Sequence, residues 1–129
     1  MARVFAPKVD GVSIVHAAGP AFILQRCVLF SSIAALYFGL AQANYAAANG
    51  CLDALSDARR LQGHHAVSMQ WGPWAGVGMA AGEAIHGRMQ SSGLGLVSES
   101  QGLTALGLAL RRAAPAVVAM TPVQWNALL

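Results

Sequence analysis

Residues 26–71 read RCVLFSSIAALYFGLAQANYAAANGCLDALSDARRLQGHHAVSMQW, and this stretch decides the fold. Its first part, Arg26–Phe30, is a short apolar run followed by two serines, which is the pattern of a buried parallel strand. The Ala- and Leu-rich stretch Asn44–Leu61 predicts a helix that Gly63 stops. Residues 65–71 alternate as a second strand. Strand, helix and strand in this order indicate a parallel sheet with helices packed on its faces.

The flanking residues extend this pattern in both directions. Residues 2–17 have helical apolar spacing, residues 98–112 predict another helix with Ser98 as its N-cap, and residues 116–120 predict a last strand. The expected fold class is therefore α/β, the C-terminal half of a Rossmann-like doubly wound sheet. Such a fold begins with a strand, a Gly-rich turn and a helix, and no GxGxxG opens this chain. We therefore expect the N-terminal nucleotide-binding unit to be missing from these residues.

Composition narrows the class of protein. The 129 residues make at most one domain, and a hydrophobic fraction of 56% with only 10% charged residues excludes a disordered chain. So little charge suggests that part of the surface faces another protein segment. The net charge of +3 comes from scattered basic residues, whereas a nucleic-acid interface needs them clustered on one face. We expect no nucleic-acid partner.

Membrane and metal-binding readings are also disfavoured. No charged residue occurs between Arg26 and Asp53, but the apolar core at 28–40 is shorter than the roughly 20 residues of a membrane span and contains two serines. The four histidines have no metal-ligand spacing, so no metal is expected. The two cysteines, Cys27 and Cys51, are expected to be buried free thiols. Without a signal-peptide pattern, a reducing, cytoplasmic location is the default.

Four polar residues are candidates for catalysis. Tyr45 and Asn49 lie four residues apart and share one face of the predicted helix. Ser32 follows the first strand at its carboxyl end, where open α/β sheets bind ligands. Lys8 lies on the helix that leads into that strand. Serine, tyrosine, lysine and asparagine at one sheet edge suit the reduction of a carbonyl.

The chemistry explains this choice of side chains. Hydride addition to a ketone places negative charge on its oxygen, and a positioned acid must protonate that oxygen. A tyrosine hydroxyl can do so when a nearby ammonium stabilises the phenolate. A serine hydroxyl adds a second hydrogen bond to the developing oxyanion, and an asparagine can order the lysine or a water behind it.

Four stretches carry a resemblance to a known family. They are Val4-Phe-Ala-Pro-Lys8-Val-Asp-Gly11, Leu29-Phe-Ser-Ser-Ile-Ala34, Gln42-Ala-Asn-Tyr-Ala-Ala-Ala-Asn49, and Trp71-Gly-Pro-Trp74 with Gly78-Met79. Over nearly the whole chain, the sequence resembles the catalytic, C-terminal half of ketoreductase domains of bacterial type I modular polyketide synthases, which are short-chain dehydrogenases/reductases. Ordinary members of that superfamily place lysine four residues after the tyrosine. Here Asn49 holds that position and Lys8 comes from the earlier helix, which is typical of the synthase reductases.

The resemblance implies a role for each residue. Tyr45 would be the proton donor, Ser32 the oxyanion partner, and Lys8 the group that stabilises the tyrosine and reaches the cofactor ribose, with Asn49 supporting it. The family's cofactor is NADPH, and its nicotinamide would be bordered by Gly72, Pro73 and Trp74. Substrate would contact Gln42 and Met79, and residues 79–94 would form a lid over it.

The implied function is reduction of a β-ketoacyl thioester to a β-hydroxyacyl thioester. Residues 1–129 would be a partial ketoreductase domain whose partners are its N-terminal half, the rest of the synthase, and an acyl carrier protein with phosphopantetheine-bound substrate. Where the family commonly has glycine, Ala35, Phe38 and Ala41 stand in the loop before the helix, and only glycine adopts a positive φ freely in such a turn. The alternative is a non-catalytic remnant or structural subdomain of such a synthase.

Overall fold

The computed structural model describes residues 2–18, 24–37, 42–76 and 92–128. Its elements, in chain order, are α1 (Ala2–Phe5), a π-helical segment (Ala6–Asp10), α2 (Gly11–Ala18), β1 (Cys27–Ser32), a 3-10 turn (Ile33–Ala35), α3 (Ala43–Leu61), β2 (Ala66–Trp71), α4 (Glu99–Ala109), β3 (Val117–Met120) and α5 (Trp125–Leu128).

The described strands form one parallel sheet in the order β1-β2-β3. Their carboxyl ends are level, because Ser32 and Met120 both pair with Trp71. Every residue of β2 is buried, so the central strand has both faces covered. The predicted α/β architecture with a parallel sheet is confirmed.

The two faces of β2 meet different elements. Ser68 and Gln70 point toward α3, where both donate to the carboxylate of Asp53 at 2.6 and 2.8 Å. On the other face, Met69 and Trp71 belong to the main apolar cluster, which also contains the following residues: Val67, Val97 and Ala109. The carboxylate therefore fixes α3 on one face, and apolar packing fixes α4 on the other.

The N-terminal helix is continuous over the predicted span but changes its winding in the middle. Between α1 and α2, five residues form a π-helical segment with Pro7 as its second residue. Proline has no backbone N–H and its ring crowds the carbonyl four residues earlier, so a wider turn relieves the conflict. Lys8 lies in this wide turn.

Several boundaries differ from the sequence-based prediction. Strand β1 extends through both serines that were expected to follow it, because they pair with Gln70 and Trp71. The helix predicted to end at Arg112 ends at Ala109 instead. The carbonyl of Leu110 accepts from Arg26, and the carbonyl of Arg111 is bonded by His65 at 3.0 Å, so neither is used to continue the helix.

Other predictions are wrong or concern residues that the structure does not describe. The terminal helix α5 was not anticipated, and Cys51 is exposed rather than buried. The expected loop at 33–41 begins with a 3-10 turn, while Phe38, Ala41 and most of the predicted lid at 79–94 lie outside the described residues. Within the described parts of the chain, no helix has the length and apolarity to cross a membrane. The same residues hold no group of three His, Cys, Asp or Glu side chains that could bind a metal ion.

Candidate active site

The carboxyl ends of the strands bring the predicted lysine and tyrosine together. The Lys8 Nζ donates a 2.9 Å hydrogen bond to the main-chain oxygen of Phe30, close to the end of β1. The same ammonium lies 5.7 Å from the centre of the Tyr45 ring. Both side chains are half-buried. Residues 37 positions apart in sequence therefore share one site, in which a cation faces an aromatic hydroxyl residue.

The serine occupies the end of β1 beside them. Ser32 is the last residue of the strand and the N-cap of the 3-10 turn, where its Oγ accepts from the Ala34 N–H at 3.2 Å. Accepting this bond occupies a lone pair and leaves the hydroxyl proton available. The turn thus holds the Ser32 oxygen in place while its O–H can still donate.

The asparagine is the most deeply buried of the four. Asn49 is fully buried on α3, and its Nδ2 donates to the main-chain oxygen of Tyr45 one turn earlier at 2.8 Å. Its own main-chain oxygen accepts from Ser31 at 3.3 Å. The side-chain Oδ1 has no partner within the described structure. A buried amide oxygen normally has a donor, so Oδ1 can still accept a bond from a water or a ligand.

Two residues that sequence reasoning missed help to position this site. Ser31 ties β1 to α3 through its bond to Asn49, which the alternation of the strand alone did not reveal. Asp53 joins α3 to β2 as described above. Both hold the helix that carries Tyr45, and within the described residues neither side chain forms a hydrogen bond with Lys8 or Tyr45.

The loop after β2 is held from three sides. Gly72 donates to the Met120 oxygen at 2.8 Å, and the Pro73 oxygen accepts from Val97 at 2.8 Å. The Trp74 ring packs on Trp71 with ring centres 5.0 Å apart. Gly72 and Pro73 are buried. The predicted cofactor-binding loop is thus fixed by hydrogen bonds and ring packing, and it lies at the same end of the sheet as Ser32.

A glycine in α4 makes room for Trp74. A Cβ built on Gly102 would lie 2.1 Å from the Trp74 Cη2 and 2.6 Å from its Cζ3, closer than side-chain atoms approach in folded proteins. A glycine inside an apolar helix costs stability unless close packing requires it, so Gly102 is itself a sequence signal for such packing. The Trp74 ring therefore packs directly against the backbone of Gly102.

We expect Gly102→Ala to destabilise the fold by about 1–3 kcal/mol, because the added methyl displaces a packed indole. The matched control is Gly107→Ala in the same helix, where an added Cβ meets nothing within 4 Å. That change should be neutral or stabilising, since alanine is the better helix former by about 1 kcal/mol. Denaturant midpoints and tryptophan emission measure both. Equal effects of the two substitutions would contradict the packing of Trp74 against Gly102.

The two remaining candidates contribute less to the described geometry. Gln42 is exposed and precedes α3, where its main-chain oxygen accepts from Ala46 at 2.8 Å. Met79 lies outside the described residues. The structure therefore brings Lys8 and Tyr45 into contact and places Ser32 at the same sheet end, while the substrate-contact predictions stay predictions.

Comparison with known proteins identifies sequences that are similar to this chain. The sequence profile of the KR domain matches residues 1–76. The chain is 37% identical over 125 residues to the polyketide synthase GfsA of Streptomyces halstedii, covering 97% of this chain and 2% of that one. A 6-methylsalicylic acid synthase of Arthrobotrys oligospora is 40% identical over 104 residues, or 80% of this chain and 6% of that protein.

A solved structure is also similar to this chain. The ketoreductase from the first module of phoslactomycin biosynthesis in Streptomyces sp. HK803 superposes with a TM-score of 0.90 at 38% identity. The match covers 99% of this chain and 29% of that chain. The described sheet and helices therefore correspond to less than a third of a solved ketoreductase, and to a few per cent of the curated synthases.

Proposed function

Because this chain belongs to the ketoreductase (KR) domain family of polyketide synthases, we propose that it forms the catalytic half of an NADPH-dependent β-ketoacyl reductase. The reaction converts a β-ketoacyl thioester, carried on an acyl carrier protein, into the β-hydroxyacyl thioester. The single observation that supports this most is the lysine ammonium 5.7 Å from the tyrosine ring at the carboxyl end of a parallel sheet.

The donor set fits the ribose end of a nicotinamide nucleotide. Lys8 uses one N–H on the Phe30 oxygen, and a lysine ammonium has three donors. Two donors remain for neighbouring ribose hydroxyls at the strand ends, where doubly wound sheets bind nucleotides. Gly72, Pro73 and Trp74 would border the nicotinamide. When bound, the cofactor supplies a hydride to the β-carbon of the substrate.

Tyr45 is the proton donor in this proposal. Its hydroxyl donates a proton to the ketone oxygen as negative charge develops there, and the cation beside the ring stabilises the phenolate left behind. Ser32 donates a second hydrogen bond to the same oxygen, from a hydroxyl already fixed by the Ala34 N–H. This pairing of acid and oxyanion partner makes the site selective for a carbonyl.

Asn49 supports the acid from behind. Its amide holds the main chain of Tyr45, and its unpaired Oδ1 is available for a water that leads toward the lysine. Such a water would return a proton to the tyrosine after each turnover. Gln42 and Met79 would contact the acyl chain, and residues 79–94 would cover it.

The partners follow from the size of the relatives. Since the chain spans 2% to 6% of the synthases compared, the remainder of a synthase would supply the N-terminal nucleotide-binding half and the acyl carrier protein with its phosphopantetheine arm. We further propose that this assembly works in the cytoplasm, where NADPH is available.

Lys8→Ala tests the proposal in the ketoreductase restored with its N-terminal half, here called the restored ketoreductase. We expect both turnover and NADPH affinity to fall about tenfold or more, because one ammonium provides charge-assisted hydrogen bonds to the cofactor and stabilises the phenolate. Steady-state kinetics and cofactor titration measure the two effects separately. The charge-matched control is Arg111→Ala, an exposed cation away from the site. Normal kinetics in Lys8→Ala would show that the lysine is only solvated.

A further inference from the structure

A basic cavity lies at the end of the sheet opposite the proposed active site. It has a volume of about 640 Å³ and is lined at the amino-terminal ends of the strands by five basic side chains: Arg26, Arg60, His64, His65 and Arg112. Among the residues that the structure describes, no aspartate or glutamate lines it. Three of the eight Lys and Arg residues of the chain therefore converge on one concave site.

Three of these side chains are held in place by uncharged partners. Arg60 donates from Nε to the Ala66 oxygen at 2.7 Å and from a terminal nitrogen to the Ala114 oxygen at 2.6 Å. Arg26 donates to the Leu110 oxygen, and His65 bonds the oxygen of Arg111. Main-chain carbonyls orient the guanidinium groups without neutralising them. The cavity consequently keeps the positive charges of Arg26 and Arg60, whose side chains are fixed by these bonds.

The other two basic side chains are free to bind. Neither the guanidinium of Arg112 nor the ring of His64 takes part in a hydrogen bond or ion pair recorded for the described residues, and both are exposed. An arginine fork with all its N–H groups available is the side chain best suited to phosphate oxygens. The site thus combines fixed cations with free donors.

We propose that this cavity binds the phosphate group of a phosphorylated small molecule. Guanidinium groups from three different chain segments converge on it, so a tetrahedral anion with oxygens in several directions can contact them together, whereas a planar carboxylate fits a single fork. The volume lies within the range of about 300–1,000 Å³ that is usual for small-molecule sites. The six residues of β1 separate it from Ser32 by about 20 Å, so it is distinct from the nicotinamide site.

Titration of the restored ketoreductase with inorganic phosphate and pyrophosphate, at constant ionic strength in chloride, tests the proposal. Amide resonances of Gly63 and His64 should shift in a saturable manner. Arg112→Gln should weaken binding about tenfold, the usual effect of losing a charge-assisted hydrogen bond. Arg111→Gln removes the same charge from the neighbouring residue, which lines a separate apolar groove, and should leave binding unchanged.

Three outcomes would overturn the proposal. Absence of saturable shifts would mean that the cavity takes no phosphate. Equal weakening by both substitutions would show general attraction to a basic surface. A Glu-rich peptide that binds more tightly than pyrophosphate, and loses affinity in Arg112→Gln, would assign the cavity to an acidic protein segment. Circular dichroism of both variants verifies the fold, and since neither side chain takes part in a hydrogen bond or ion pair within the described structure, unfolding is not expected.

Discussion

Replacing Tyr45 by phenylalanine is expected to lower reduction of a β-ketoacyl thioester by the restored ketoreductase at least about 100-fold, the usual cost of removing a positioned general acid. The ring and its packing stay, so the contact with the Lys8 ammonium is retained and NADPH affinity should not change. The loss should therefore appear in kcat, with cofactor binding measured separately by fluorescence titration.

The chain offers a matched control for this substitution. It contains two tyrosines, and Tyr37 is exposed on the turn after β1. Tyr37→Phe removes a hydroxyl of the same kind and should leave turnover close to that of the unmodified protein. If Tyr45→Phe retained most of its activity, or if both variants lost it equally, Tyr45 would not be the proton donor.

The second large effect concerns residues 1–129 tested alone, which we expect to show no measurable NADPH-dependent reduction and to self-associate. No Gly-rich turn for the pyrophosphate occurs at the start of the sequence. In the described sheet, β1 pairs on one side only, with β2. Its Phe30 side chain is 55% exposed. An unpaired strand edge beside exposed apolar surface is a site of aggregation or docking.

Light scattering would measure the self-association, and amide hydrogen exchange would measure the exposure of the β1 backbone. Adding the N-terminal half should reduce both the scattering and the exchange. Phe30→Glu should lessen self-association of the isolated chain, because it places a charge on the surface at that edge. Leu61→Glu adds the same charge at the far end of α3, on a side chain that is 90% exposed, and should not. A monomeric, active preparation of residues 1–129 alone would refute the reasoning.

Local sequence signals were sufficient for the order of the main helices and strands as far as β3, but not for the terminal helix α5. Alternation predicted β2 to within one residue, and the Ala- and Leu-rich run with Gly63 after it predicted α3 to within one residue. Gly63 adopts a positive φ of 80°, which explains its use as the stop. The fold class is confirmed by the parallel sheet and by the similarity to solved polyketide synthase ketoreductases.

Contacts between distant segments could not be predicted in this way. The proximity of Lys8 to Tyr45 followed from the family resemblance, since no local pattern links a π-helical turn to a helix 37 residues later. The early end of α4 depends on Arg26, 84 residues from the carbonyl that it binds. The packing of Trp74 against Gly102 likewise joins two elements that are distant in sequence.

Whether this chain takes part in β-ketoacyl reduction can be measured as the stoichiometry of the reaction in the restored ketoreductase. A β-ketoacyl thioester and NADPH are supplied together, NADPH consumption is followed by absorbance, and the thioester product is identified by mass spectrometry. We expect one β-hydroxyacyl thioester to form for each NADPH consumed. A restored protein that binds NADPH yet forms no β-hydroxyacyl product would contradict it, and would favour the non-catalytic subdomain instead.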